Sequence, residues 1–175
     1  MPFYNSFWCL LIMKIEELKF KHLSGLNELL NSIAAEDVWT VNKRKTLKER
    51  IKWFENYKAE RRKGNHVVFV CVEQNKIIGS TSAIRQEGKR NHVWEIGYQV
   101  KKEYRRRGIG SLLVKTLIEF LRKRDAKQLI AWVVETNKAS INLLKKFNFE
   151  KVGKIRNGVR SNNRYYDYLL FQKEI

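Results

Sequence analysis

Arg105-Arg106-Arg107-Gly108-Ile109-Gly110-Ser111 follows an alternating stretch that ends Tyr98-Gln99-Val100, and it opens a stretch with helical periodicity. A basic turn, two glycines and a helix start therefore fall together, a combination suited to holding phosphates. Gly108 and Gly110 permit close backbone approach, while the first helical turn directs unpaired N–H groups outward at the positive end of the helix dipole. This is not a dinucleotide fingerprint, because Leu113 stands where a third glycine is required, and no Gly-Lys-Ser/Thr of a P-loop occurs. One carboxylate lies just before the cradle. Strict alternation sets Glu95 beside Val93, Gly97 and Gln99 and opposite Trp94, Ile96 and Tyr98, where it could accept a proton from a bound substrate.

The surrounding chain supplies elements to position these groups. Lys14 to Phe20 reads as a strand and His22 to Ala35 as a helix with Leu23, Leu26, Leu29, Leu30 and Ile33 on one side. Thr46-Leu47-Lys48-Glu49 is a capping box opening a helix through Ile51, Phe54 and Tyr57. Strand periods follow over Val67 to Val72, Lys76 to Arg85 and Val93 to Val100, and their short connections predict an antiparallel meander. Ile109, Leu113, Leu117, Phe120 and Leu121 form the apolar stripe of the cradle helix, with Lys115, Glu119 and Arg122 in water. Gln128 to Val134 should return as a strand parallel to residues 93–100, since strand, helix and strand in sequence favour a crossover. Asn137 caps a helix to about Lys146, and strands near 150–156 and 164–173 close the chain.

The chain has 175 residues, a formal charge of +18 and a pI near 10.0. This length suits one domain with a substantial core, and the charge favours anionic partners. Lys43-Arg44-Lys45, Arg61-Arg62-Lys63, Arg122-Lys123-Arg124 and Lys145-Lys146 spread the excess beyond the cradle, so contact with RNA or an acidic protein is expected alongside a phosphorylated ligand. Cys9 and Cys71 form no CxxC pair, and His22, His66 and His92 lack metal-ligand spacing. The expectation is a metal-free, reduced, cytoplasmic protein without a membrane partner. Residues 1–12 are apolar and uncharged but too short to span a bilayer, and Met13 precedes the first strand. They are read as an N-terminal extension, with the main domain over 13–175.

Arg105-x-x-Gly108-x-Gly110 after a strand resembles the acetyl-CoA pyrophosphate loop of the GNAT superfamily of N-acetyltransferases. Asn137-x-x-Ser140-x-x-Leu143-x-x-Lys146-x-x-Phe149 is similar to a second motif of that family, and the element order agrees over residues 14–175. The resemblance implies a single-domain α/β fold: a twisted, mostly antiparallel sheet of about seven strands with about four helices and a parallel central pair. It implies acetyl-CoA as cosubstrate, a primary amine as acceptor, and direct attack without a covalent enzyme intermediate. Tyr98, Gln99 and Val100 would line the pantetheine arm, with an N–H near Val100 polarising the thioester carbonyl. Arg106, Arg107, Gly108, Ile109, Gly110 and Ser111 would hold the pyrophosphate, Arg105 occupies the first signature position, and Asn137 and Ser140 would meet the pantetheine. A homodimer is compatible with the resemblance.

The family's usual acid, a tyrosine in the second motif, is replaced by Leu144. Glu95 is therefore expected as the base and Tyr166 as the substitute acid. Deprotonating a lysine-like amine at neutral pH costs about 4.6 kcal/mol, against about 1.4 kcal/mol for an α-amine of pKa near 8. An α-amine at a protein or peptide N-terminus is thus the first expectation. An amino acid or amino-acid-like antimetabolite is the second, and a catalytically weak nucleic-acid-associated binding protein on the same fold is the third.

Overall fold

The computed structural model describes residues 13–36 and 43–175, so the expected extension over 1–12 lies outside the described residues. Among the described residues seven strands form one sheet: β1 (Lys14–Glu17), β2 (His66–Glu73), β3 (Lys76–Arg85), β4 (Val93–Val100), β5 (Gln128–Val134), β6 (Glu150–Ser161) and β7 (Arg164–Glu174). Their order is β1-β2-β3-β4-β5-β7-β6, with β4–β5 parallel and the other neighbours antiparallel. Among the described residues four α-helices complete the fold: α1 (Leu23–Ala35), α2 (Leu47–Arg62), α3 (Ile109–Arg122) and α4 (Lys138–Lys146).

Local chemistry accounts for the boundaries. Thr46 Oγ1 accepts from Glu49 N at 3.3 Å while Glu49 Oε2 accepts from Thr46 N at 2.7 Å, which starts α2. Gln74 and Asn75 turn β2 into β3 at φ 48° and 64°, and Asn162 and Asn163 turn β6 into β7 at 48° and 57°. Two successive residues at positive φ give a hairpin twist that matches the strands.

Buried side chains on the sheet form three clusters, of which two are large. Trp94 and Ile96 of β4, Leu129, Ala131 and Val133 of β5, and Leu169 and Phe171 of β7 pack with Leu117 and Leu121 of α3 and Leu144 of α4. Burying a leucine such as Leu117 contributes about 1.5–3 kcal/mol. Val114 and Ile118 complete the buried face of α3, whereas Phe120 sits at its flank, edge-on to Phe69 at 5.1 Å. The second core is Leu26, Leu29 and Ile33 of α1 with Phe54 and Tyr57 of α2 against Val68 and Val70 of β2. Residues of β4, β5 and β7 that point away from the first core are left to line a cleft.

Candidate active site

β4 stays in register with β3 from Val100 opposite Gly79 to Trp94 opposite Arg85, but it pairs with β5 only over Val93–Glu95. The central strands part beyond Glu95. Lys101 N donates to Ile78 O and Gln86 N to Val93 O, each at 2.9 Å, so odd-numbered residues of this stretch direct their backbone groups to β3. The even-numbered ones face β5. Past the divergence, the N–H groups of Tyr98 and Val100 therefore point into the gap, and Arg105 Nε donates to the Val100 carbonyl at 3.0 Å. The gap widens into a cleft of about 1030 Å³.

The turn at the mouth of this cleft is built from left-handed residues. Arg106 lies at φ 61° and Gly108 at φ 79°, immediately before α3. A Cβ on Gly108 would meet nothing within 4 Å, so that position opens onto free space, whereas a Cβ on Gly110 would lie 3.1 Å from Leu143 Cδ2. Gly108 thus serves the cradle and Gly110 the close approach of α3 to α4. Ile109 is 2 % exposed and joins the core through its side chain, leaving its backbone to the turn.

The arginines divide their work. Arg106 lines the cleft. Arg105 also lies on the cleft wall, but its guanidinium is held by Glu36 through two hydrogen bonds of 2.7 and 2.6 Å. Arg107 reaches Glu73 at 3.1 Å and lies over the Tyr104 ring. The sequence expectation gave Arg106 and Arg107 to the pyrophosphate and placed Arg105 only at the first signature position. Arg105 and Arg107 fasten the loop to α1 and β2, and their charge reaches the cradle from its rim.

Asn137 caps α4 by accepting from Ser140 N at 3.0 Å, and it lines the cleft. Ser140 O in turn accepts from the Tyr98 hydroxyl at 3.3 Å, and burial pushes the Tyr98 phenol up to about 12. Ala139, Ser140, Asn142 and Leu143 present α4 to the cleft, while Leu144 is fully buried in the first core. The position of the family tyrosine thus belongs to packing in this chain.

Glu95 stands on the cleft side of β4, as alternation predicts, and the β3–β4 register runs through it without a bulge. Its carboxylate remains open to solvent, but the cleft walls remove part of its hydration and raise its pKa above the usual glutamate value. Tyr168 of β7 lines the same cleft, stacked on Trp132 with ring centroids 5.0 Å apart. Burial and then the Glu95 charge push its phenol up. Tyr166 does not reach this wall. It pairs with Val159 of β6, beyond the stretch from Tyr168 to Glu174 that β5 covers. The tyrosine brought to the carboxylate is Tyr168, which the sequence analysis passed over.

Acetyl-CoA fits these residues: Gly108 faces open space beside a helix start, and the parted strands expose backbone donors toward the same cleft. Among the described residues no group of three or more His, Cys, Asp or Glu side chains is placed to hold a metal ion, and no helix is long and apolar enough to cross a membrane. Residues 28–149 match the family model described as the acetyltransferase (GNAT) family. The chain belongs to that family. This GNAT chain is 28% identical to a ribosomal-protein-alanine N-acetyltransferase from Brucella melitensis, covering 93% of its own length and 99% of that structure with a TM-score of 0.84. The protein yncA from Salmonella typhimurium, solved with its cofactor acetyl-CoA, superposes with a TM-score of 0.83 at 21% identity over 93% of each chain, a likeness of fold. A phosphinothricin N-acetyltransferase from Streptomyces coelicolor is 35% identical to the GNAT chain over 69 residues, which span 39% of this chain and 40% of that relative's length.

Proposed function

We propose that this GNAT chain transfers the acetyl group of acetyl-CoA to an α-amine, at the N-terminus of a protein or peptide or on an amino acid. One observation carries the reading: the strand pair that parts after Glu95 and the helix that starts at Gly108 open onto one cleft. Likeness over almost the whole chain to a ribosomal-protein-alanine N-acetyltransferase supports the first kind of acceptor, and the shorter match to a phosphinothricin N-acetyltransferase supports the second.

Acetyl-CoA, when bound, supplies a thioester that a neutral amine can attack. The amides of Ile109, Gly110 and Ser111 would hold its pyrophosphate at the positive end of α3, with Arg106 beside them. Tyr98, Gln99 and Val100 would line the pantetheine with Asn137 and Ser140. The Val100 N–H would donate to the carbonyl oxygen as negative charge develops there. Glu95 would take a proton from the acceptor amine, directly or through a water, as the N–C bond forms. Tyr168 would give its proton to the sulfur as the C–S bond breaks, the part first expected of Tyr166. A phenol is held protonated for that task by the burial and the carboxylate that raise its pKa.

The test is acetyl-CoA consumption against a panel of N-terminal peptides, amino acids and lysine-blocked controls, with the product located by mass spectrometry. Acetylation on α-nitrogen supports the reading, and acetylation confined to lysine side chains would replace it.

A further inference from the structure

A second cavity of about 190 Å³ lies beside the cleft, between α1, α2 and the β2–β3 strands. The two cavities share Ile33, Ser82, Ile84 and Gln99 as walls. Register carries the connection: His66 of β2 is opposite Ile84 of β3, and Ile84 is opposite Glu95 of β4. At the usual strand spacing, His66 and Glu95 are separated by about 10 Å across the sheet. The side cavity therefore adjoins the cleft on the face of the sheet that carries Glu95.

The charge of the cavity is one-sided. Lys43, Lys45 and Arg50 contribute to its wall, and no aspartate or glutamate does among the described residues. Arg50 is 6 % exposed, yet among the described residues no carboxylate forms an ion pair with it. Its Nε donates to Asn27 Oδ1 at a long 3.4 Å, and its guanidinium lies over the Trp53 ring at 5.4 Å. A buried cation with so little compensation is costly, because the desolvation it suffers is repaid only by an anion or by several hydrogen bonds. The segment that carries the lysines is held in place. Asn31 accepts from Lys45 N at 2.9 Å and donates to Lys45 O at 2.8 Å, which ties it to α1.

Building on the α-amine reading above, we propose that this side cavity binds a carboxylate of the acceptor, with Arg50 as its anchor and Lys43 and Lys45 at its rim. The acceptor is then an α-amine that carries an acid within a few bonds. Two sources share that chemistry: a free acidic amino acid and a peptide with an acidic first residue. The small volume suits the first, and the peptide needs an open path past Glu95.

The experiment compares L-glutamate with L-glutamine, and the peptide Glu-Ala-Ala-Ala with Gln-Ala-Ala-Ala, as acceptors and as ligands by calorimetry with coenzyme A present. Wild type is expected to prefer the acid over the amide by roughly 10- to 100-fold, chiefly through KM. In Arg50→Gln that ratio should fall to about one. Arg50→Lys, which keeps the charge without the planar fork, should recover part of it. Circular dichroism and coenzyme A affinity establish that both variants are folded, and Lys43→Gln with Lys45→Gln provides a surface pair expected to weaken the preference by a smaller factor. Preference confined to the free amino acid, or extended to the peptide, identifies the source. Equal affinity for acid and amide in wild type, or an unchanged ratio in Arg50→Gln, overturns the proposal. Acid-selective binding without acetylated product would leave the anion site standing and overturn the acetyl-transfer reading instead.

Discussion

Glu95 and Tyr168 share one cleft wall although β5 runs between their strands, and burial followed by the nearby carboxylate raises the pKa of the tyrosine hydroxyl. A carboxylate and a phenol, both with raised pKa values, thus lie near the point where the central strands part. Tyr168→Phe is expected to lower kcat by about 10- to 100-fold while leaving acetyl-CoA affinity nearly unchanged. Tyr166→Phe should leave both near wild type, and steady-state kinetics of the two variants side by side checks the assignment.

Glycine at the cradle serves two separate ends. Gly108→Val should weaken acetyl-CoA binding, because φ 79° is strained for any side chain by about 1–2 kcal/mol and the new branch projects into the open cradle. Gly110→Val should chiefly destabilise the fold, since its first carbon already lies 3.1 Å from Leu143 Cδ2. Calorimetric affinity and thermal melting should separate the two variants.

Much of this architecture is legible in the residues. The change from helical to strand period at Val67, the capping box at Thr46 and the glycines after Val100 are local signals, and the elements lie where those signals put them. Side-chain partners are a different matter. Arg105 and Glu36 are 69 positions apart, so nothing near the cradle reveals that this arginine is already held. Tyr166 and Tyr168 lie on the same face of a strand by alternation. Only the end of β5, where Val134 meets Tyr168, decides which of them reaches the cleft. Leu144 matches a motif position by spacing, but its direction follows from packing on the first core.

The ion pair between Arg105 and Glu36 should matter to the loop more than to phosphate binding. Its two short bonds and partial burial make it stronger than an exposed pair, so Glu36→Gln is expected to cost about 1–2 kcal/mol of stability. Hydrogen exchange should rise first at the turn from Lys102 to Gly108, and uniform loss of protection would argue against a local role.

His66 makes stability depend on pH. Burial holds its imidazole down to about 4, with Glu60 opposing weakly, so the unfolded chain binds the proton more readily than the fold. The Tyr57 and Trp53 rings pack edge-on to it. The neutral histidine's contribution is fully present above the unfolded value near 6.5 and is lost as pH falls toward about 4, by at most about 3 kcal/mol. His66→Phe should flatten the denaturation midpoint across that window.

The central claim is that Glu95 accepts the proton of an α-amine attacking acetyl-CoA. It is tested most directly by the pH profile of kcat/KM for wild type and Glu95→Gln on one α-amine acceptor. The account predicts a wild-type acid limb above the ordinary glutamate value of about 4.3, because the cleft raises the Glu95 pKa, and a loss of about 100-fold in the variant near neutral pH that narrows as the medium becomes alkaline. A variant that retains wild-type efficiency at neutral pH, with acetyl-CoA still bound, would contradict it.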